Sequence, residues 1–348
     1  MKNDTRHILV FNVNWIGDVI FTSPVFKALK KQYPSARIVC LAVPRVRGIL
    51  ESMPGLDGMI EYDERGRGRG LWGKIRLIRQ LRRERFDMAL ILHRSWTRAL
   101  LIFLAGIPIR IGYDTKKRGM FLTHPVELPP PGWHRSDFYL HLVRANGIDV
   151  QDTSCELRVD QRMAEYWQRR LSGMGVDGTR PLIVVHVGAN WDLKRWPKTY
   201  FTDLIRRLRS ELDADVLIPG AGRDRSLAEA IVPADVPGVH VLAGETDLKQ
   251  LIALMARADL VISADSGPMH VAHCVGTRVI ALFGPTRPEI TGPRGKGEAV
   301  ILQEDLPCNR APCYNLDCPD NKCMQAVTVD AVMQAVRGLG FRTMKDSH

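Results

Sequence analysis

Long apolar runs are missing from this 348-residue sequence. The longest, "ALLIFLAGIPI" over 99–109, is bracketed by Arg98 and Arg110. It falls well short of the roughly 20 residues that a bilayer-spanning helix needs. The N-terminus, "MKNDTRHILVFNVNW", has no basic region followed by a long apolar stretch, so no secretory signal is expected. The chain is expected to be cytoplasmic, and not transmembrane. Zinc-type cysteine pairing is missing too. Seven cysteines are present, four of them (Cys308, Cys313, Cys318 and Cys323) spaced C-x4-C-x4-C-x4-C instead of the C-x2-C of zinc ribbons. In a cytoplasmic chain, where disulfides are disfavoured, that spacing reads first as a structured loop of reduced thiols and second as a metal site.

Acidic residues are scarce in the first part of the chain. Residues 1–150 hold 25 Lys/Arg against 13 Asp/Glu, whereas the remainder holds 24 against 25. The whole net charge of +11 therefore comes from the N-terminal part, which is expected to meet something anionic. A nucleic-acid partner is not favoured, because no recognised module and no interleaved series of aromatics accompanies the basic stretch around 65–85. Otherwise the composition is ordinary for a globular chain long enough for two domains, with 45% hydrophobic and 25% charged residues.

What is present is an alternation. The runs "HILVFNV" (7–13), "RIVCLAV" (37–43) and "MALIL" (88–92) read as strands. Between the last two, "LWGKIRLIRQLRRERF" (71–86) places Leu71, Ile75, Ile78 and Leu81 on one helical face. The pattern restarts with "LIVVHVG" (182–188), a helix over 198–212, "ADVLIPG", "VHVLAG", "DLVISAD", a helix from about Pro268, and "RVIALFGPT". Continuous apolar strands separated by helices predict parallel sheets covered on both faces. The expected fold is α/β, with two Rossmann-like doubly wound domains over 1–160 and 175–348 facing a central cleft. The final helix is expected to return to the first domain.

Candidate chemistry sits where strands end. In "NWIGDVIFTSP" (14–24), Asp18 follows the first strand and reads either as a ligand-facing carboxylate or as the cap of the next helix. Gly17 is expected to give the backbone room to turn. In "GANWDLKRWP" (188–197), Lys194 is either a phosphate partner or a solvated loop cation. "GAGRDRSLAE" (220–229) starts as G-x-G but has Arg225 where a dinucleotide fingerprint needs a third glycine, which argues against a nicotinamide or flavin cofactor. Asp224 there faces a ribose diol or caps a helix. "SADSGPMHVAH" (263–273) opens a helix with Asp265, Ser266 and Gly267 and adds His270 one turn in, the arrangement of an anion site.

Taken together, "NWIGDVIFTSP", "LKRWP", "DSGPMHVAH" and "LFGPTRPEITGP" resemble the ADP-heptose:lipopolysaccharide heptosyltransferases, glycosyltransferase family nine, over nearly the whole chain. "PCNRAPCYNLDCPDNKCM" is similar to a segment of members that act as heptosyltransferase II. The resemblance implies a GT-B fold and an inverting transfer that needs no metal and no cofactor. It implies Asp18 as general base, and Lys194 with the 265–270 turn on the donor diphosphate. Asp224 is implied at the adenosine ribose, with Asn190 and Thr246 completing the donor set. Where some members carry hydroxyl residues before the lysine, this chain has Ala189 and Asn190. The implied partners are an ADP-heptose donor and an anionic lipid A–core acceptor at the inner membrane surface. Arg65, Arg67, Arg69, Lys116, Lys117 and Arg118 are the candidate acceptor contacts, with a solvated basic face as the alternative. Another GT-B enzyme, such as heptosyltransferase I or III or a nucleotide-sugar epimerase, is the competing reading.

Overall fold

Runs that are apolar at every position have no exposed face to offer, so they become inner strands. Ile8, Leu9, Val10 and Phe11 are buried to 1% exposure or less, as are Val261 and Ile262 in the second half. The computed structural model describes residues 5–64, 66, 68–306, 312–313, 315 and 317–341. The chain divides into two compact units, Met1–Arg158 and Val159–His348.

The first unit runs β1 (His7–Phe11), α1 (Ile16–Ile20), α2 (Ser23–Gln32), β2 (Arg37–Ala42), α3 (Arg47–Glu51) and β3 (Gly58–Glu61). It continues with α4 (Gly70–Glu84), β4 (Met88–Ile91), α5 (Trp96–Leu104), β5 (Ile109–Tyr113), β6 (His124–Val126) and α6 (Arg135–Arg144). Its sheet has the order β3-β2-β1-β4-β5-β6 and is parallel throughout. Register is set by β1, with His7 opposite Arg37 on one side and Ile8 opposite Met88 on the other. Helix α4 turns Leu77 and Leu81 into the core beside Ala99 and Ile102 of α5. Each such leucine contributes roughly 1.5–3 kcal/mol by leaving water.

The second unit begins with α7 (Gln161–Gly173), β7 (Leu182–His186), α8 (Lys198–Leu212), β8 (Asp215–Gly220) and α9 (Arg225–Ile231). It proceeds through β9 (Val239–Ala243), α10 (Leu248–Arg257), β10 (Leu260–Ala264), α11 (Gly267–Cys274) and β11 (Arg278–Leu282). It ends with α12 (Pro288–Thr291), β12 (Ala299–Leu302), α13 (Lys322–Gln325) and α14 (Val329–Gly338). The parallel order β12-β11-β10-β7-β8-β9 repeats the topology of the first sheet. Segment 160–175, expected between domains, is α7: Asp160 caps it, and Trp167 Nε1 donates to the Gln250 carbonyl at 2.7 Å, tying it to α10. The last helix, expected to return to the first domain, instead buries Val332, Met333 and Val336 in the core of the second.

Candidate active site

Each sheet reverses its strand order once, between β1 and β4 and between β7 and β10. Outside the carboxyl ends of the strands at such a reversal, the outgoing chains part and leave a crevice for a ligand. After β1, buried Asn12 donates from Nδ2 to Thr22 Oγ1 at 3.0 Å and accepts from the Val13 N–H at 2.8 Å. The Thr22 hydroxyl donates to the Val19 carbonyl at 2.6 Å, so α1 is pinned to the strand that precedes it. Asp18, half-buried, is the third residue of α1; Trp15 holds the N-cap place and makes no side-chain capping bond. Asp18 is therefore not the N-cap residue. Gly17 lies inside α1, and the chain bends before it, at Asn14 and Trp15.

Two arginines hold this loop. Arg98 of α5, 2% exposed, donates to the Asn12 carbonyl at 2.7 Å, to Asn14 Oδ1 at 3.0 Å and to Glu64 Oε1 at 3.0 Å. Arg45 donates to the Asn14 carbonyl from Nε at 3.0 Å and Nη2 at 2.9 Å, and lies 4.4 Å over the Trp15 ring. Burial and then the charge of Asp18 push the Tyr139 hydroxyl well up, against the pull of Arg135 and Arg94. Asp18, Tyr139, Arg94 and Arg135 thus share one electrostatic neighbourhood. His93, following β4, is driven down to about 4 by burial and then by Arg98, which keeps it neutral at neutral pH.

The basic candidates divide. Arg65 and Arg67 lie outside the described residues. Gly66 and Gly68, which flank Arg67, have a steric reason. The Gly66 N–H donates to Asp63 Oδ1 at 2.9 Å and the Gly68 N–H to the Asp63 carbonyl at 2.8 Å; a Cβ on Gly68 would stand 2.6 Å from that carbonyl oxygen. Arg69 is exposed at the N-cap of α4, and Lys116 and Lys117 are exposed in left-handed conformations. Arg118 corrects the expectation. It is fully buried, donating from Nε to the Tyr113 carbonyl at 2.6 Å and from Nη1 to the His93 carbonyl, so it clamps the ends of β4 and β5 instead of facing an acceptor. Burial pulls its guanidinium down to about 10.

At the second reversal, Lys194 Nζ meets Asp265 Oδ2 at 2.6 Å and lies 3.5 Å from the Asp265 carbonyl, beside the N-terminus of α11. Thr291 donates to the same Oδ2 at 3.2 Å, and His270 Nε2 stands 3.7 Å from Oδ1. Burial alone would raise the Asp265 carboxyl, but His270 and Lys194 overcome it and hold the group well below the usual carboxylate range. Ser266 is the N-cap of α11, its hydroxyl 3.0 Å from that of Ser263, and Gly267 opens the helix. The free amides of this first turn and the Lys194 ammonium present positive charge at one spot.

A second group adjoins. Asp224, 4% exposed, accepts from the Ala221 N–H at 3.1 Å through Oδ2. Its Oδ1 is buried without a hydrogen-bond partner, Arg195 and Arg223 standing at 3.9 and 4.0 Å. A Cβ on Gly188 would lie 2.7 Å from Asp224 Oδ2, which explains glycine there. Asn190 is exposed and accepts from Arg223 at 2.9 Å. Thr246 is half-buried on the loop after β9, whose Gly244 (φ +82°) packs against Gly222. Lys194, Asp265 and His270 therefore meet in one cluster, Asn190 and Asp224 in the next, with Thr246 at its border. Reading the sequence alone passed over Arg45, Arg94, Arg98, Arg135, Tyr139 and Thr291. Arg94 and Arg98 could have been found from their place just past the "MALIL" strand.

The cysteine segment and the residues after it brace the loop that carries Lys194. Asn321 Nδ2 donates to the Arg195 carbonyl at 3.1 Å, Cys323 Sγ lies 3.6 Å from Asn321 Oδ1, and Trp196 Nε1 donates to the Val327 carbonyl at 2.7 Å. Cys313, Cys318 and Cys323 are free thiols, and Cys308 lies outside the described residues. Among the described residues no group of three or more His, Cys, Asp or Glu side chains could hold a metal, and no helix is long and apolar enough to cross a membrane.

A sequence profile of Glycosyltransferase family 9 (heptosyltransferase) matches residues 74–321. The chain is 30% identical over 304 residues to lipopolysaccharide heptosyltransferase 2 of Salmonella typhimurium, covering 84% of this chain and 87% of that one. Among solved structures it is similar to the ADP-heptose LPS heptosyltransferase II of E. coli, at 25% identity and TM-score 0.79, over 96% of this chain and 98% of that one. A glycosyl transferase family 9 protein from Veillonella parvula shares the fold at TM-score 0.82 and 24% identity, over 97% of both chains. The sequence profile and the relatives agree with the twin sheets: the chain is a glycosyltransferase and belongs to family 9, the heptosyltransferases.

Proposed function

We propose that this enzyme transfers heptose from ADP-L-glycero-D-manno-heptose to the inner core of lipopolysaccharide as a heptosyltransferase II, with inversion and without a metal. The observation that carries the reading is the cluster of Lys194, Asp265, His270 and Thr291 at the N-terminus of α11, where the charge of a departing diphosphate is met by an ammonium and free amides. The buried, unpartnered Asp224 Oδ1 is suited to accept from a ribose hydroxyl, with Asn190 and Thr246 beside it. The second domain thus takes the donor and the basic first domain takes the acceptor.

Asp18 takes the proton of the acceptor hydroxyl as that oxygen attacks the anomeric carbon and the bond to ADP breaks on the opposite face. One displacement inverts the centre, and no covalent intermediate forms. Arg98 and Arg45 fix the loop that carries Asp18. The anionic acceptor is drawn by Arg65, Arg67, Arg69, Lys116 and Lys117, and the enzyme works as a peripheral protein on the cytoplasmic side of the inner membrane.

The test is a mass-detected transfer assay with ADP-heptose against defined truncated cores, with and without EDTA. Turnover on a core ending in one heptose, undiminished by EDTA, is the expected result. Turnover only on a core ending in Kdo would make the enzyme a heptosyltransferase I, and a strict need for added Mg²⁺ would overturn the metal-free site.

A further inference from the structure

Helix α5 breaks the rule that a surface helix is apolar on one side only. Its inner residues Ala99, Leu101 and Ile102 are buried in the core of the first unit. Its outer stripe is apolar as well: Trp96, Phe103 and Leu104 are 42%, 43% and 40% exposed, and Leu100 lies half-buried among them. The stripe continues sideways. Phe121 lies 5.0 Å from the Trp96 ring and 5.5 Å from the Phe103 ring, and its neighbour Met120 is 74% exposed. At the start of the adjoining helix α4, Trp72 is 76% exposed.

The surroundings are cationic. Helix α4 holds five Lys/Arg against the single acidic Glu84, and four of these, Arg76, Arg79, Arg82 and Arg83, are exposed. Arg82 reaches across to donate to the Leu104 carbonyl at 2.8 Å, which brings a cation to the end of the apolar stripe. Lys116 and Lys117 are exposed on the loop that leads to Met120.

We propose that the outer face of α5, with Met120 and the first turn of α4, is the surface by which the enzyme docks on an anionic phospholipid bilayer. Exposed tryptophans suit the boundary between head groups and acyl chains, where one edge of the ring is dry and the other wet. The flanking cations meet the phosphates. A neutral protein partner would leave those charges unmatched. The starts of α4 and α5 lie at the rim of the sheet that carries Asp18, so docking brings that rim to the lipid surface. This inference rests on the proposed lipid-linked acceptor for its biological sense, but its test needs no acceptor.

Sedimentation with vesicles of phosphatidylethanolamine and phosphatidylglycerol in equal parts tests it, against phosphatidylcholine vesicles as the neutral control. The wild type is expected to partition onto the anionic vesicles and only weakly onto the neutral ones. Trp72→Ser combined with Met120→Ser removes two well-exposed side chains; it is expected to leave the melting temperature unchanged and to cut partitioning about tenfold or more. Transfer to an O-deacylated, water-soluble acceptor should be unaffected by the pair, whereas transfer to a vesicle-embedded acceptor should fall. Equal partitioning of variant and wild type overturns the proposal, as does a wild type that shows no preference for anionic vesicles. A wild type that self-associates through this face, with the variant monomeric and still vesicle-bound, overturns it in favour of a dimer interface. Absence of any transfer by the wild type, with vesicle binding intact, would count against the proposed function and not against the docking surface.

Discussion

Replacing Lys194 by alanine separates binding from folding at the donor cluster. In the wild type the Asp265 carboxylate, with 5% of its side chain exposed, has Lys194 at 2.6 Å, Thr291 at 3.2 Å and His270 at 3.7 Å. Lys194→Ala leaves a buried carboxylate without its closest cation. Removing one partner of a buried pair costs about 3–5 kcal/mol. Thr291 and His270 remain, and the lysine side chain is 17% exposed, so the lower end, about 3 kcal/mol, is the expectation here. In a unit of this size each kcal/mol moves the melting temperature by roughly 2–4 °C, which gives a fall of roughly 6–12 °C. Lys194→Ala with Asp265→Asn removes the orphaned charge and should recover at least half of that loss. The stabilisation given by the pair is present above the ordinary carboxylate range and is lost as pH falls, because the folded Asp265 is held low. Thermal melts at neutral pH, with and without saturating ADP, measure both effects. ADP should raise the wild-type melting temperature and move that of Lys194→Ala little. A fall under about 2 °C, or a double variant no better than the single, would refute the coupling. Full ADP protection of Lys194→Ala would remove Lys194 from the donor site.

Three further outcomes are expected. Asp18→Asn should fold and bind ADP normally while turnover drops on the order of 10² or more; a variant that melts early yet turns over normally would make Asp18 a structural residue. Gly188→Ala drives a methyl to 2.7 Å from Asp224 Oδ2, so ADP should bind at least several-fold more weakly, with a loss of roughly 1–3 kcal/mol in stability; unchanged ADP affinity would sink the ribose role of Asp224. His273, 5% exposed, is pushed down to about 4 by burial and then by His270, so the unfolded chain binds its proton first. Stability should therefore fall as pH drops from about 6.5 towards 4, and His273→Asn, followed by melts across that range, should flatten the slope.

The inner strands β1, β2, β4, β7, β10 and β11 were legible because burial on both faces writes an unbroken apolar run. Of the edge strands, β9 was read as "VHVLAG", but β3, β6 and β12 were not. β3 is four residues, one of them the exposed Glu61, and β12 carries the exposed Ile301, so neither contrasts with a loop. Helix α5 was unreadable by period because it is apolar on both faces. Candidate residues on the segments that leave a strand, such as Asp18, Lys194 and Asp265, could be named from the rim rule. The same rule reaches Arg98, just past β4, but not its partner, since Arg98 meets Asn12 across 86 residues of chain. Three consecutive cations at 116–118 read as one exposed patch. The turn there exposes two and directs the third at the carbonyls that end β4 and β5.

Two carboxylates stand at the rims, and their surroundings differ in a way that supports Asp18 for the proposed role of base. A base works best when its conjugate acid is not too strong, and Asp265 fails that condition because His270 and Lys194 hold it far below the ordinary range. Its charge keeps the Lys194 ammonium beside the first turn of α11, where the proposed leaving diphosphate would need it. Asp18 stands differently. It is half-buried on a helix of five residues, its loop gripped by Arg98 and Arg45, with the Tyr139 hydroxyl as a neutral neighbour. Half-buried on a held loop, it is accessible enough to meet the incoming hydroxyl of the proposed acceptor. The proposed division of labour rests on burial: the nearly closed-off carboxylate of Asp265 positions the cation, and the less buried one of Asp18 takes the proton.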